Sequence, residues 1–251
     1  MRELLVHEKL PEEAALQMFA MVCELMIRTE QPQALQEVYD ATVNRHPDHF
    51  ADITYQFASF VQYIGENDRA EKLLLQVLER DPRHVPANNY LGYTWANRGV
   101  NLEQAKAMIQ IAIDAEPDSG AYLDSMGWVM YKLGKFEEAL TWLNLSAKSN
   151  GGQHPVILDH LGDTHYRLGN PDAAWESWQQ AFSLIPQYKD QLDSEMHEIE
   201  PRIQSKLDAV NQNQPVPVAN APAVDQQPVQ NQCATQPAAG TPQAADSRGE
   251  K

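Results

Sequence analysis

The stretch DHLGDTHYR, from Asp159 to Arg167, concentrates two carboxylates and two imidazoles in a short span. Such groups could ligate a metal if they converged. Asp159 and Asp163 are four apart and share one helix face. His160 and His165 are five apart and do not join them. A metal site would need ligands from elsewhere in the chain, so the stretch reads as a polar helix face with a histidine in the core between helices. Cys23 and Cys233 are the two cysteines, too far apart for a disulfide framework or a ligand cluster. They read as a buried helix thiol and an incidental tail thiol. The glycines form no phosphate loop, and no Ser/His/Asp or Cys/His arrangement has a recognisable context. The pair Glu137 and Glu138 opens a helix, where carboxylates favour the macrodipole. Asn144, in an NLS triplet, lies inside a helix and is not read as a glycosylation site. No catalytic residue, metal or cofactor is assigned.

Bulk properties narrow the function further. The chain has 251 residues, 19 basic and 35 acidic, for a formal charge of −16. A nucleic-acid binder needs a basic face to neutralise phosphates, and anionic lipid makes the same demand, so this balance argues against both. No apolar run is long enough for a signal segment or a membrane span. The expected compartment is the cytoplasm, or the cell envelope if an export signal precedes the sequence.

The elements that position these residues repeat along the chain. Gly65, Gly99, Gly134 and Gly169 recur at intervals of 34, 35 and 35. Ala70, Ala105, Ala139 and Ala174 follow them. Ala58, Gly92, Gly127 and Gly162 precede each glycine by seven, and Pro82, Pro117 and Pro186 close three of the units. The small residues allow close helix approach, the turn glycines suit a left-handed helix end, and the prolines stop the second helix. One hairpin cannot bury its apolar stripe, whereas stacked neighbours bury it jointly. The segments YLGYTWANRGVNLEQA, SMGWVMYKLGKFEEA and HLGDTHYRLGNPDAA carry the pattern well, and QFASFVQYIGENDRA is a weaker copy.

These units resemble the tetratricopeptide repeat. The resemblance covers residues 50–186 as four repeats. Residues 1–49 hold a degenerate unit in which Ala34, Val38 and Ala41 keep the second-helix spacing without a turn glycine. The local patterns look like those of bacterial repeat proteins that often act in or near the cell envelope. The resemblance implies an all-α, right-handed α-solenoid of stacked helix-turn-helix units. Trp95, Trp175 and Trp178 fall at or beside its core positions.

It also implies a concave groove lined by the first helix of each unit. Mapped onto this sequence, the groove carries Asp52, Tyr55, Ser59, Gln62 and Tyr63, then Pro86, Asn89, Tyr93, Ala96 and Asn97. The third unit adds Ala121, Asp124, Trp128, Tyr131 and Lys132, and the last adds Val156, Asp159, Asp163, Tyr166 and Arg167. Tyr55, Ser59, Gln62, Asn89, Tyr93, Asn97, Asp124, Trp128, Tyr131, Asp159, Asp163, Tyr166 and Arg167 are the expected partner-binding residues. The aromatic ones either contact a partner or pack between neighbouring first helices. Four acids against two bases predict a partner segment with basic and aromatic or aliphatic side chains. The clamp by which some of these repeats hold a terminal carboxylate is absent: Tyr55, Asn89, Asp124 and Asp159, with Ser59, Tyr93, Trp128 and Asp163, stand in its places. An acidic C-terminal chaperone tail should be repelled.

Beyond the repeats, Tyr188, Leu192, Met196, Ile199, Ile203, Leu207 and Val210 form one stripe at helical spacing. Residues 187–210 therefore read as a capping helix, with Pro201 kinking it or starting a second short helix. Residues 211–251 hold six prolines and no aromatic, leucine or isoleucine, and are expected to be disordered. The sequence thus predicts a non-catalytic protein-interaction scaffold. The alternative is an interaction module or fragment of a larger bacterial envelope-assembly or enzyme complex.

Overall fold

The computed structural model describes residues 12–149, 151–188 and 195–221. The described part is helical, and consecutive helices pair as hairpins. They are α1 (Glu12–Arg28) with α2 (Leu35–Arg45), α3 (Phe50–Tyr63) with α4 (Asn67–Arg80), and α5 (Val85–Arg98) with α6 (Leu102–Ala115). Then come α7 (Gly120–Lys132) with α8 (Phe136–Lys148), α9 (Pro155–Arg167) with α10 (Pro171–Leu184), and a final helix α11 (Met196–Asn211). Each first helix packs on its own partner and on the next unit, which makes an α-solenoid. Among the described residues no helix is long and apolar enough to cross a membrane.

Local chemistry explains the boundaries. Pro86, Pro155 and Pro171 sit in the first turns of α5, α9 and α10, where a missing N–H costs nothing. The Ala87 N–H donates to His84 Nδ1 at 3.2 Å, so the imidazole caps α5. Gly134 has φ +76°. Its N–H donates to Tyr131 O at 2.9 Å, and the Lys135 N–H donates to Met130 O at 2.9 Å. This pairing satisfies carbonyls that the end of α7 would otherwise leave open. A β-branched residue resists that backbone. Gly134→Val is expected to destabilise the array by about 1–3 kcal/mol in urea unfolding, and an unchanged midpoint would refute the strain. Gly99 and Ala105 are six positions apart, one more than the matching pair in the other units, and Asn101 in that α5–α6 turn takes φ +50°. In the first hairpin, which lacks a glycine, Glu30 takes φ +58°.

The small first-helix residues mark real close approaches. A Cβ on Gly127 would lie 2.6 Å from Leu143 Cγ, and one on Gly162 would run into the Trp178 ring. Trp178, Phe57, Leu91, Ile109, Met126 and Leu143 are fully buried along the stack. Cys23 lies in the first hairpin's core, where burial pushes its thiol up to about 12, an unreactive state. Cys233 lies outside the described residues.

The C-terminal region departs from expectation in two ways. The capping helix begins at Met196, and its stripe residues Met196, Ile199, Ile203 and Leu207 are buried. Leu192 lies outside the described residues. Pro201 sits inside α11 and does not divide it. The second departure concerns the boundary at 211. Val216 is buried, and Val218, Ala219 and Ala221 pack against the cores, so the segment through Ala221 belongs to the packed array. The rest of the expected tail, 222–251, lies outside the described residues.

The candidate groove site

Residues from α3, α5, α7 and α9 face one side of the stack, as the repeat register requires. The structure divides that side into a half bordered by cavities and a half filled by the protein itself.

The filled half contains the stretch from Asp159 to Arg167. Lys206, from α11, is buried there. Its ammonium donates to Asp159 Oδ1 at 2.7 Å and to Asp163 Oδ1 at 2.5 Å. Arg202 Nε donates to Asp159 Oδ2 at 2.9 Å. Asp163 Oδ1 also accepts from Trp178 Nε1 at 3.2 Å, and Asp163 Oδ2 accepts from the Ala219 N–H at 3.0 Å. Burial pushes the Asp163 carboxyl up from its ordinary value, and the Lys206 ammonium opposes the shift. The two cations are spaced i, i+4, like the two acids, so one face of α11 matches one face of α9.

The other groove acids are engaged as well. Asp124 accepts from His160 Nδ1 at 3.0 Å. His84 uses Nδ1 to cap α5, which leaves its proton on Nε2, 3.1 Å from Asp52 Oδ1. Both groove bases also have internal partners. Lys132 Nζ donates to Asn97 O at 3.1 Å, and Arg167 donates from Nε to Tyr131 Oη at 3.1 Å and from Nη2 to Ala219 O at 2.8 Å. The premise that groove carboxylates await an external cation is therefore corrected: Asp159 and Asp163 take cations from α11, and Asp52 and Asp124 take hydrogen bonds from histidines of neighbouring units. Asp124, Asp159 and Asp163 are buried and could not be so without partners, which the fold supplies, whereas Asp52 stays exposed.

The aromatic residues divide in the same way. Trp128 is 3% exposed, stacked between His160 at 3.8 Å and Tyr131 at 4.8 Å. It packs between neighbouring first helices, and its Nε1 donates to Asn97 Oδ1 at 3.4 Å. Tyr131 is fully buried, and burial raises its phenol far above the ordinary range. Its hydroxyl donates to Ala219 O at 2.6 Å. Tyr166 Oη accepts from the Val216 N–H at 3.4 Å.

Tyr55, Ser59, Gln62, Asn89 and Tyr93 instead border a cavity of about 390 Å³, together with Asp124, His154 and Glu195. Tyr93 donates to Glu195 Oε1 at 2.5 Å; burial and that carboxylate raise its phenol well above the ordinary range. A second cavity, of about 480 Å³, lies beside it, bordered by Gln62, Asn97, Arg98, Glu195 and Arg202. Asn89 Oδ1 is buried and has no hydrogen-bond partner among the described residues. No cluster of three or more metal-ligating side chains occurs among the described residues.

Sequence reasoning missed Glu195, Arg202, Lys206, Val216 and Ala219. One signal was present: Arg202 and Lys206 repeat the i, i+4 spacing of Asp159 and Asp163, and Lys206 sits in an otherwise apolar stripe.

No family model matches the chain. Over 149 residues it is 29% identical to the TPR repeat-containing protein PA4667 of Pseudomonas aeruginosa, a match covering 59% of this chain and 25% of that protein. The chain thus spans about a quarter of the length of that relative. Its fold is similar to TTC0263, a TPR protein of Thermus thermophilus, with TM-score 0.58 and 19% identity over 76% of this chain and 98% of that one. It is also similar to MamA of Desulfovibrio magneticus RS-1, with TM-score 0.53 and 16% identity over 70% and 97%. At these identities the structures show the fold alone. The chain thus resembles tetratricopeptide-repeat proteins in sequence and shares their helical-repeat fold. Arrays of this repeat are generally protein–protein interaction modules and typically non-catalytic scaffolds.

Proposed function

We propose that this array is a non-catalytic scaffold that binds a segment of a protein partner in the groove half bordered by α3, α5 and α7. The supporting observation is the 390 Å³ cavity, where Tyr55, Tyr90 and Tyr93 present aromatic surface beside the unpartnered Asn89 Oδ1. Tyrosines offer large contact area at low entropic cost, and a buried amide oxygen calls for an N–H donor. The partner therefore presents aromatic or aliphatic side chains with a free backbone or side-chain N–H. Recognition does not depend on a cationic segment, because the groove acids already have partners. Affinity is on the order of micromolar, as for small transient interfaces, and binding varies little with salt. An acidic chaperone tail finds no clamp here.

A photo-crosslinking side chain at Gln62 of the full chain should capture a protein from native lysate, and Tyr55→Ala with Tyr93→Ala should abolish the capture. The same crosslinker at the exposed Leu75, on second helix α4, should not trap that protein. Equal capture from both positions, or capture that survives the double substitution, would place binding elsewhere. A second reading, a module working within a larger envelope or enzyme assembly, is favoured by the match to only a quarter of a longer relative. A captured protein that co-purifies as one member of a stable multi-protein complex would support it.

A further inference from the structure

The filled half of the groove is built like a ligand site with its ligand in place. α11 ends in a left-handed turn at Asn213, φ +53°. The Asn213 N–H donates to Val210 O at 3.0 Å and the Gln214 N–H to Ala209 O at 2.8 Å, which ends the helix and turns the chain back. Pro215 and Pro217 then forbid helix and pre-set their own φ. A tight turn about Pro217, closed by the Val218 N–H on Val216 O at 2.9 Å, precedes the contact. At Ala219 both backbone polar groups are read: Asp163 accepts the N–H, and Tyr131 and Arg167 donate to the carbonyl. Val216 fills an apolar niche of the last repeat. Side chains along the segment are small, so its affinity comes from backbone bonds plus one apolar anchor.

This arrangement differs from ordinary core packing. The three groups that read Ala219 project from α7 and α9 at groove positions, and what they hold is the backbone of a non-helical segment. A donor pair and an acceptor spaced for one peptide residue would serve any strand entering with the same polarity. Proline-punctuated chains enter such a site at low ordering cost, because their backbone is already restricted.

We propose that the groove end formed by Tyr131, Asp163, Tyr166 and Arg167 is a binding site for an extended, proline-punctuated peptide with small apolar side chains, and that residues 214–221 are its resident ligand, which an incoming partner segment displaces. The proposal goes beyond the groove reading above: it concerns the other half of the same groove and takes from that reading only that a partner segment enters the groove. Tethering raises the effective concentration of the resident segment, to about millimolar for a short linker. An outside peptide of equal intrinsic affinity therefore sees only the fraction of molecules whose site is vacant, and its apparent affinity falls by that fraction.

The test uses the full chain and a labelled synthetic peptide of residues 213–221. Val216→Asp with Ala219→Pro should evict the resident segment, since the first removes the apolar anchor and the second the N–H that Asp163 accepts. The evicted chain should bind the peptide at least tenfold more tightly than the wild-type chain. Adding Arg167→Gln to the evicted chain should remove that gain. A peptide carrying the Ala219→Pro change should not bind. Equal affinity for evicted and wild-type chains, absence of binding to both, or a gain that survives Arg167→Gln overturns the proposal. Hydrogen exchange on the wild-type chain gives a second readout independent of any variant's folding: the Ala219 amide should be protected, and exchange at the rate of an unstructured peptide would also overturn it. Because the probe is the chain's own sequence, this outcome does not depend on the lysate crosslinking. If crosslinking fails while eviction holds, the partner reading falls and the self-occupied site stands.

Discussion

Lys206→Met is expected to destabilise the protein by about 3–5 kcal/mol, the usual cost of removing one partner from a buried ion network. Lys206, Asp159 and Asp163 are each at most 1% exposed. Without the ammonium, among the described residues Asp163 keeps neutral donors from Trp178 and Ala219 but no cation, and Asp159 keeps Arg202 alone. The loss comes from stranding carboxylates in a dry environment, because methionine preserves much of the lysine volume. Adding Asp159→Asn and Asp163→Asn to the same chain should therefore recover most of it, since the stranded charges are gone while side-chain hydrogen bonds remain. Urea unfolding of the wild type, the single variant and the triple variant checks both statements. A single variant within about 1 kcal/mol of wild type, a fifth to a third of the expected loss, would show that water reaches the acids. A triple variant as unstable as the single would show that packing, not charge, is at stake.

A chain ending at Gln187 is expected to aggregate. It loses α11, whose Met196, Ile199, Ile203 and Leu207 cover the last hairpin, and it also loses the cations that partner Asp159 and Asp163. Each buried aliphatic side chain contributes about 1.5–3 kcal/mol, and a whole domain holds only about 5–15. Losing four such residues and a buried ion network together removes more than the last repeat can spare, and its apolar face becomes available to other copies. Size-exclusion chromatography and light scattering would show this. A monomeric product with the full chain's melting temperature would mean that α11 is not a cap. A chain ending at Asn211 keeps α11 and should stay soluble, but it loses the buried Val216 and the bonds at Ala219. Its melting temperature should fall by a few degrees rather than remain unchanged.

The repeat, its boundaries and its close contacts were legible in the sequence because each is imposed by backbone geometry acting over a few residues. Gly134 at positive φ, Gly127 against Leu143 and the prolines Pro82 and Pro117 just past the ends of α4 and α6 are local requirements, and the repeat period shows them often enough to be seen. The acids at Asp159 and Asp163 were visible too, as was the fact that carboxylates so placed attract cations. Only the tertiary structure decided where the cations come from. Lys206 meets Asp163 across 43 positions, and Ala219 meets it across 56. Pairings at that range leave no periodicity, and their partners lie where the repeat pattern has already ended. The small, proline-rich segment after Asn211 looked unable to fold because it cannot build a core of its own. It needs none: the array supplies the apolar niche for Val216 and the donors and acceptor for Ala219, and the prolines reduce the entropy lost on docking.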